Sequence, residues 1–194
     1  MFTLDESREI LTAARSAGLK LRLHADELAA SGGSLLAAEI GARSADHLIF
    51  VDEAGAHKLA AAGVTATLLP IASFYLKLGR FAPARMLVHR NVAVALATDV
   101  NPGGGYSPSM PFAMTLACFG MGLTFEEALV AATINAAYAL DRHDRIGSLE
   151  PGKQMDAVIV DGPAIDLIRV GAETIRAVVK KGKVVHEAHR SHAA

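Results

Sequence analysis

The sequence predicts an α/β fold in which a parallel β-sheet is covered by helices. Short apolar runs alternate with amphipathic segments over residues 1–144, and the connections between them are short. The chain has 194 residues, of which 52% are hydrophobic, so it can bury the core of one domain. From residue 145 to the end the pattern changes to short strands and turns, which predicts a small β appendage.

The charge and cysteine content exclude several classes of protein. Lys and Arg number 19 against 20 Asp and Glu, so a net charge of -1 gives no bulk electrostatic attraction for nucleic acid or a membrane surface. Cys118, the single cysteine, excludes an internal disulfide and fits a reducing, cytoplasmic setting. Its apolar neighbours predict a small core residue. The first residues carry acids where a secretory signal needs basic ones, so we expect no targeting peptide.

Capping residues mark the predicted helices. A Ser, Thr or Asp before a helix and a Gly after it are common boundary residues. Thr3 with Glu6, and Thr124 with Glu127, have the spacing of a capping box, and Asp52 precedes a third helix. The predicted helix ends are Gly18, Gly41 and Gly63.

The remaining elements follow from apolar patterning. Four strands are predicted in LKLRLHAD, ADHLIFV, VTATLLP and NVAVALATDVNP, with a helix at 83–90 before the last. The uncharged stretch after Asp99 begins with a Gly- and Pro-rich half, and its apolar second half is too short to cross a membrane. This pattern favours a loop followed by a buried helix. We expect TFEEALVAATINAAYAL to form one helix, and Lys181-Gly182 to join a β-hairpin.

Candidate site residues lie at the ends of predicted strands. His24, His47 and Asp99 each end an apolar run, and Glu27 follows three residues after His24. The carboxyl ends of parallel strands meet at one edge, where α/β enzymes build their active sites. A carboxylate can ligate a cation or accept a proton from metal-bound water, and imidazole is the commonest metal ligand.

Each of these residues also has a purely structural interpretation. His24 is equally consistent with a hydrogen-bonded structural histidine, and His47 alone favours a structural role, since Asp46 could hold its ring. Asp99 precedes Asn-Pro-Gly and could be a turn former, and Glu27 could be a solvated acid of a first helical turn. Together the polar strand ends favour a metal-assisted hydrolase or lyase.

Other polar features are predicted to be ordinary surface. The histidines expected outside the site are His57, His89, His143, His186, His189 and His192. The three glycines at 103–105 lack the Lys-Ser/Thr of a phosphate loop, so we expect close backbone approach to a ligand or simple loop flexibility.

Several segments in combination resemble the second half of the imidazolonepropionase family, metal-dependent amidohydrolases of histidine degradation. These segments are LHADEL, SADHL, ATDVNPGGGYSPSM, LTFEEALVAATINAAYAL and GSLEPGKQMDAVIVD, and the resemblance covers nearly the whole chain. It implies the last four βα units of a (β/α)8 barrel at 1–144, and strands of a small β-sandwich at 145–194. It also implies opening of the ring of 4-imidazolone-5-propanoate to N-formimidoyl-L-glutamate in the cytoplasm.

The resemblance implies a role for each candidate residue. His24 would be a ligand of zinc or iron, and Asp99 would be both ligand and the base that activates water. His47 would orient or polarise near the scissile carbonyl, and Glu27 would contact the ring and help move the proton. The substrate's propanoate or ring edge would be positioned by Asn101, Gly103 and Gly104.

Two departures from the family pattern have physical consequences. The sequence contains no His-x-His pair, which the family's first half supplies as metal ligands, and glycines follow Asn101-Pro102-Gly103 where many relatives have Thr or Ser. Four strands would leave two sheet edges unpaired, and two ligands are about half of a zinc set. We therefore expect a fragment whose partner is the missing half, or a self-pairing half-barrel. A sister amidohydrolase or aminohydrolase, or a non-catalytic assembly module, stays open.

Overall fold

The computed structural model of the chain describes residues 2–171 and 173–188. The helices are α1 (Leu4–Ser16), α2 (Gly33–Glu39), α3 (Glu53–Ala62), α4 (Pro70–Tyr75), α5 (Ala84–His89), α6 (Met110–Met121), α7 (Phe125–Ala132) and α8 (Ile134–Ala139), with a 3-10 helix at Ala164–Ile168. The strands are β1 (Arg22–Ala25), β2 (Ser44–His47), β3 (Thr65–Leu68), β4 (Val94–Leu96), β5 (Ala157–Val160), β6 (Ile175–Lys180) and β7 (Lys183–Glu187).

Strands β1 to β4 form a parallel sheet in chain order. Each strand is followed by helical segments before the next strand begins, as the alternating pattern predicts. Successive side chains of a strand point to opposite faces, so the register divides the sheet into two faces. The outer face carries Leu23, Ala25, Ala45, Ala66, Leu68, Val94 and Leu96, and the inner face carries Arg22, His24, Ser44, Asp46, Thr65, Thr67 and Ala95.

Helices cover the outer face and form the main core. Leu36 of α2, Leu59 of α3 and Leu87 of α5 are buried in one cluster with Leu68. Helix α2 approaches β1 so closely that a Cβ on Gly33 would lie 2.8 Å from the Cα of Ala25. A glycine is therefore required there for the helix to reach the strand.

Helix α8 lies at the N-terminal edge of the sheet. The side-chain amide of Asn135 donates to the carbonyl of Val94 at 2.9 Å. Arg22 donates to the carbonyl of Ala139, and Arg43 to that of Tyr138. Cations at these carbonyls complement the negative end of the helix dipole and satisfy groups that have no partner within the helix.

The predicted caps are confirmed. Both capping boxes form, at Thr3 with Glu6 and at Thr124 with Glu127. Asp52 accepts from the amide of Gly55 at 2.8 Å. The predicted stops Gly18, Gly41 and Gly63 lie just beyond the helices and all adopt positive φ. Helix boundaries depend on neighbouring residues, which explains why the sequence predicts them.

Three element predictions need correction. The single helix expected over TFEEALVAATINAAYAL breaks at Thr133, whose hydroxyl bonds back to the carbonyl of Leu129 at 2.6 Å. Gly147 packs so tightly there that a Cβ would lie 2.6 Å from Ala137. The strand expected over ADHLIFV ends at His47, because His47 turns to φ 74. Helix α4 lies in a segment that the sequence analysis left unassigned.

The C-terminal strands form a separate antiparallel sheet of order β5-β6-β7. The predicted hairpin turn is confirmed at Lys181 and Gly182, both with positive φ. The 3-10 helix between β5 and β6 contacts α6, where the hydroxyl of Thr115 donates to the carbonyl of Ile168 at 2.9 Å. The β-sandwich itself stays a prediction.

The predicted loop and buried helix after Asp99 are also observed. Helix α6 follows the loop, and Cys118 on it is partly rather than fully buried against the core. Burial raises the pKa of its thiol, and the nearby Glu126 and Glu127 add to this. No helix within the described residues has the length and apolar character needed to cross a membrane.

Candidate active site

The parallel sheet brings the predicted site residues to its C-terminal edge. His47 ends β2 and lies at the centre of the group. Its ring centroid is 4.5 Å from that of His24, its Nδ1 is 3.5 Å from Glu27 Oε1, and its Nε2 is 4.0 Å from Asp99 Oδ2. Residues separated by up to 75 positions in sequence thus surround one imidazole, because the ends of parallel strands converge.

His47 is buried and chemically unsatisfied. The residue is 3% exposed, and neither ring nitrogen has a hydrogen-bond partner. Burial lowers the pKa of His47, while the carboxylates of Glu27 and Asp99 act in the opposite direction. A neutral imidazole has one donor and one acceptor nitrogen, so His47 can either donate to or accept from a bound molecule.

His24 is more open to solvent than His47. Its side chain is 65% exposed, and its Nδ1 lies 3.8 Å from Asp46 Oδ2 on the neighbouring strand. The interaction with Asp46 raises the pKa of His24, and partial burial opposes this. The side of the ring away from Asp46 therefore remains available for a ligand.

The loop after β4 is built around Asp99. Asp99 adopts φ 51, and the Asn101 side-chain amide donates to its Oδ1 at 3.0 Å and to its carbonyl at 2.8 Å. The amide of Gly103 donates to Asn101 Oδ1 at 2.7 Å. A Cβ on Gly105 would lie 2.4 Å from the Asp99 carbonyl, so only glycine permits this closure.

The predicted substrate glycines are not equivalent. Gly103 is exposed, whereas Gly104 is buried. A Cβ on Gly104 would make ordinary contact with Leu76, at 3.6 Å. A single Cβ would therefore fit at Gly104 without a clash, and contact of its backbone with the substrate stays a prediction.

Asp26 is a site-forming residue that the sequence analysis missed. It is 3% exposed, has φ 49, and lies between His24 and Glu27. Its carboxylate accepts from the amides of Ser31, Gly33 and Ser34 at 2.9 to 3.0 Å, and from the Ser31 hydroxyl at 3.1 Å. The sequence did contain a signal for this role. Asp26 precedes a run of small residues at the start of a helix, where a carboxylate can accept from free backbone amides.

These hydrogen bonds favour the charged form of the Asp26 carboxylate and hold the surrounding loop in place. Burial alone would raise the pKa of Asp26, but the bonds from Ser34, Gly33 and Ser31 hold it below its ordinary value. The Asp26 carbonyl also accepts from the amide of Phe50 at 2.8 Å. The loop after β1 is therefore tied to α2 and to the segment that follows His47.

The donor set fits part of a metal site. Among the residues that the structure describes, no group of three or more His, Cys, Asp or Glu side chains is placed to hold a metal ion. His24 and Asp99 are suitable donors, and the partnerless ring nitrogens of His47 face the same cluster. Catalytic zinc usually has three protein ligands, so this chain supplies an incomplete set.

The other histidines lie away from this cluster. His57 and His89 are on α3 and α5, as predicted. His143 lies in a turn with its ring centroid 4.9 Å from that of Tyr138, and His186 is exposed on β7. His189 and His192 lie outside the described residues.

A parallel sheet with acids and histidines at the carboxyl ends of its strands is a common arrangement of α/β enzyme sites. The chain matches the amidohydrolase family over residues 1–185, and it belongs to that family. It is 48% identical over 187 residues to an imidazolonepropionase of Alkaliphilus metalliredigens and 46% identical over 187 residues to one of Geobacillus kaustophilus. Each match covers 95% of this chain but only 44% of the relative, so the chain spans less than half of these proteins.

Solved structures agree on the fold. An adenosine deaminase from Xanthomonas campestris with bound zinc superposes with a TM-score of 0.76 at 25% identity, covering 95% of this chain and 49% of that one. A triazine hydrolase variant superposes with a TM-score of 0.76 at 22% identity, covering 95% and 47%. The observed architecture is thus about half of an amidohydrolase fold.

Proposed function

We propose that the chain is the C-terminal half of an imidazolonepropionase. The complete enzyme would hydrolyse the cyclic amide C–N bond of 4-imidazolone-5-propanoate to give N-formimidoyl-L-glutamate. The observation that carries this proposal is that the carboxylates of Glu27 and Asp99 lie beside the buried imidazole of His47. The chain that holds this cluster is 48% identical to an imidazolonepropionase. A cytoplasmic location and a domain boundary between residues 144 and 145 belong to the same proposal.

We infer that a divalent metal, zinc or iron, would be held by His24 and Asp99 together with ligands from the missing half. When bound, such a metal polarises the scissile carbonyl and lowers the pKa of a bound water towards neutrality. The chemistry of the two donors supports this, because imidazole and carboxylate both ligate these metals. The exposed ring of His24 supports it as well.

The remaining steps belong to side chains of this chain. Asp99 would take the proton of the attacking water on a carboxylate oxygen and return it to the leaving nitrogen. His47, whose pKa is lowered by burial, would hydrogen-bond near the carbonyl, and Glu27 Oε1 lies 3.5 Å from its Nδ1. Glu27 would also contact the substrate ring and help to move the proton.

The loop after Asp99 would position the substrate. Asn101 is held by Asp99 and in turn accepts from the Gly103 amide, so the loop is ordered before substrate arrives. Together with Gly104, these residues would contact the propanoate or the ring edge. Preordering of this kind reduces the entropy lost on binding.

A sister amidohydrolase with another substrate is the second candidate. The loop after Asn101 favours it, because glycines stand there where the resemblance implies Thr or Ser in many relatives. Parallel turnover assays on imidazolone propionate, other cyclic amides and aminopurines distinguish the two candidates.

The test of the main proposal supplies the missing half. The 194-residue chain is mixed with the N-terminal half of the Alkaliphilus relative, and zinc content and turnover of imidazolone propionate are measured. We expect turnover only in the mixture, and loss of at least about a thousandfold with Asp99→Asn. Asp161→Asn, at the residue that follows β5 of the small sheet, is the matched control. Normal turnover by Asp99→Asn, or a zinc-loaded mixture without turnover of this substrate, would overturn the proposal.

A further inference from the structure

His24 has a carboxylate neighbour that the proposed reaction does not use. His24 and Asp46 are register partners on β1 and β2, and both lie on the inner face of the sheet. The Nδ1 atom of His24 is 3.8 Å from Asp46 Oδ2. A small rotation of the exposed imidazole would close this distance to a hydrogen bond.

Asp46 is itself held in place. The hydroxyl of Ser44, two residues earlier on β2, donates to Asp46 Oδ1 at 2.7 Å. The Asp46 side chain is 18% exposed, against 65% for His24. Because the hydroxyl of Ser44 binds one carboxylate oxygen, the other oxygen is held facing the more exposed ring of His24.

We propose that Asp46 is a positioning residue that selects the Nδ1–H tautomer of His24. A histidine ligand commonly donates its second ring N–H to a carboxylate, and that bond determines which nitrogen is free to bind metal. Of the two ring nitrogens, Nδ1 is the one that lies 3.8 Å from Asp46 Oδ2, so a proton held there would leave the Nε2 lone pair for the metal. The proposal rests on the proposed function through one assumption, that His24 is a ligand.

The position of the two groups argues against a merely structural ion pair. Ser44 is fully buried, so it holds the Asp46 carboxylate from the interior of the protein. The ring of His24, on the other side of that carboxylate, is exposed. Removing Asp46 would leave the strand pairing intact, because β1 and β2 are joined through their backbones. It would change which ring nitrogen of His24 carries the proton.

The test reads this proton directly on the metal-free chain. Long-range ¹H–¹⁵N NMR is recorded on the 194-residue chain at a pH where its imidazoles are neutral, with His24→Gln to assign the signal. We expect the Nδ1–H tautomer at His24, and a shift towards Nε2–H in Asp46→Ala. Ser44→Ala should give an intermediate shift, and Asp161→Ala none. The dispersion of the backbone amide signals reports whether each variant is folded, and His57 and His89, exposed on outer helices, should keep their tautomers in every variant.

Two results would overturn the proposal. One is an Nε2–H tautomer of His24 in the parent chain, a measurement that holds even if Asp46→Ala fails to fold. The other is an unchanged tautomer in folded Asp46→Ala. In the assembled protein, Asp46→Ala should weaken zinc binding by roughly 10- to 100-fold. Because the tautomer is measured without substrate, failure of turnover with the expected tautomer counts against the proposed function and not against Asp46.

Discussion

The two faces of the parallel sheet differ in polarity and in how fully their side chains are packed and hydrogen-bonded. The outer face is apolar and packs against α2, α3 and α5, so its core is complete within the chain. The inner face carries polar side chains, and the hydroxyls of Thr65 and Thr67 have no hydrogen-bond partner within the described residues. The difference indicates that the apolar outer face provides most of the stability of this chain, whereas the inner face carries the polar side chains from which the proposed site is built.

The largest expected change in the free energy of unfolding comes from a substitution in the core of the outer face. Leu68 is fully buried there, so Leu68→Ala leaves a cavity and should lower the free energy of unfolding by about 2–5 kcal/mol. Urea denaturation measures this change. Leu35→Ala on the exposed side of α2 is the control and should change it by at most about 0.5 kcal/mol. Equal effects for the two variants would contradict the assignment of the core to the outer face.

The next effect concerns Asp26, which joins an outer helix to the site edge. Asp26→Ala removes a buried carboxylate that accepts from four donors, and alanine is unfavourable at φ 49. We expect a loss of about 2–4 kcal/mol in urea denaturation. Asp52→Ala, which loses a single capping bond, should cost about 1 kcal/mol. A smaller loss for Asp26→Ala than for Asp52→Ala would show that the Asp26 loop is not tightly held.

A smaller effect of opposite sign is expected on the inner face. Thr65 is fully buried, and its hydroxyl has no hydrogen-bond partner within the described residues. Thr65→Val keeps the shape and removes the desolvated hydroxyl, so it should stabilise the chain by about 1 kcal/mol. A destabilised Thr65→Val would mean that this hydroxyl already has a partner in solution.

The smallest effect involves an ion pair outside both faces. Arg85 lowers the pKa of Glu127 from 4.5 to about 2, with the Thr124 amide adding to this. Because the folded pKa is depressed, the stability from this pair is present above pH 4.5 and is lost as the pH falls towards 2. Glu127→Gln should therefore cost at most about 1 kcal/mol at neutral pH, and this difference should shrink in acid. Urea midpoints across that pH range measure it; a constant difference would contradict the pKa shift.

Much of the fold was predictable because its signals are local. The capping boxes at Thr3 and Thr124 involve residues three positions apart, so the sequence shows both partners together. The break at Thr133 was not predicted, because the pattern of the surrounding residues favours a helix, and the close approach of Gly147 to α8 is visible only in the folded chain. Asp26 had a local signal, the small residues that follow it, but its contacts with the amides of Gly33 and Ser34 depend on how the loop after β1 folds back.

The sequence by itself determined the parallel α/β class, the polar strand ends and the resemblance to one family of hydrolases, because patterning, caps and motifs are written in neighbouring residues. Only the tertiary structure decided that His47 lies buried between Glu27 and Asp99, and that Asp46 faces His24. Those distances arise where separate strands end side by side. Such contacts depend on register and on backbone conformations such as φ 74 at His47, which no local pattern specifies.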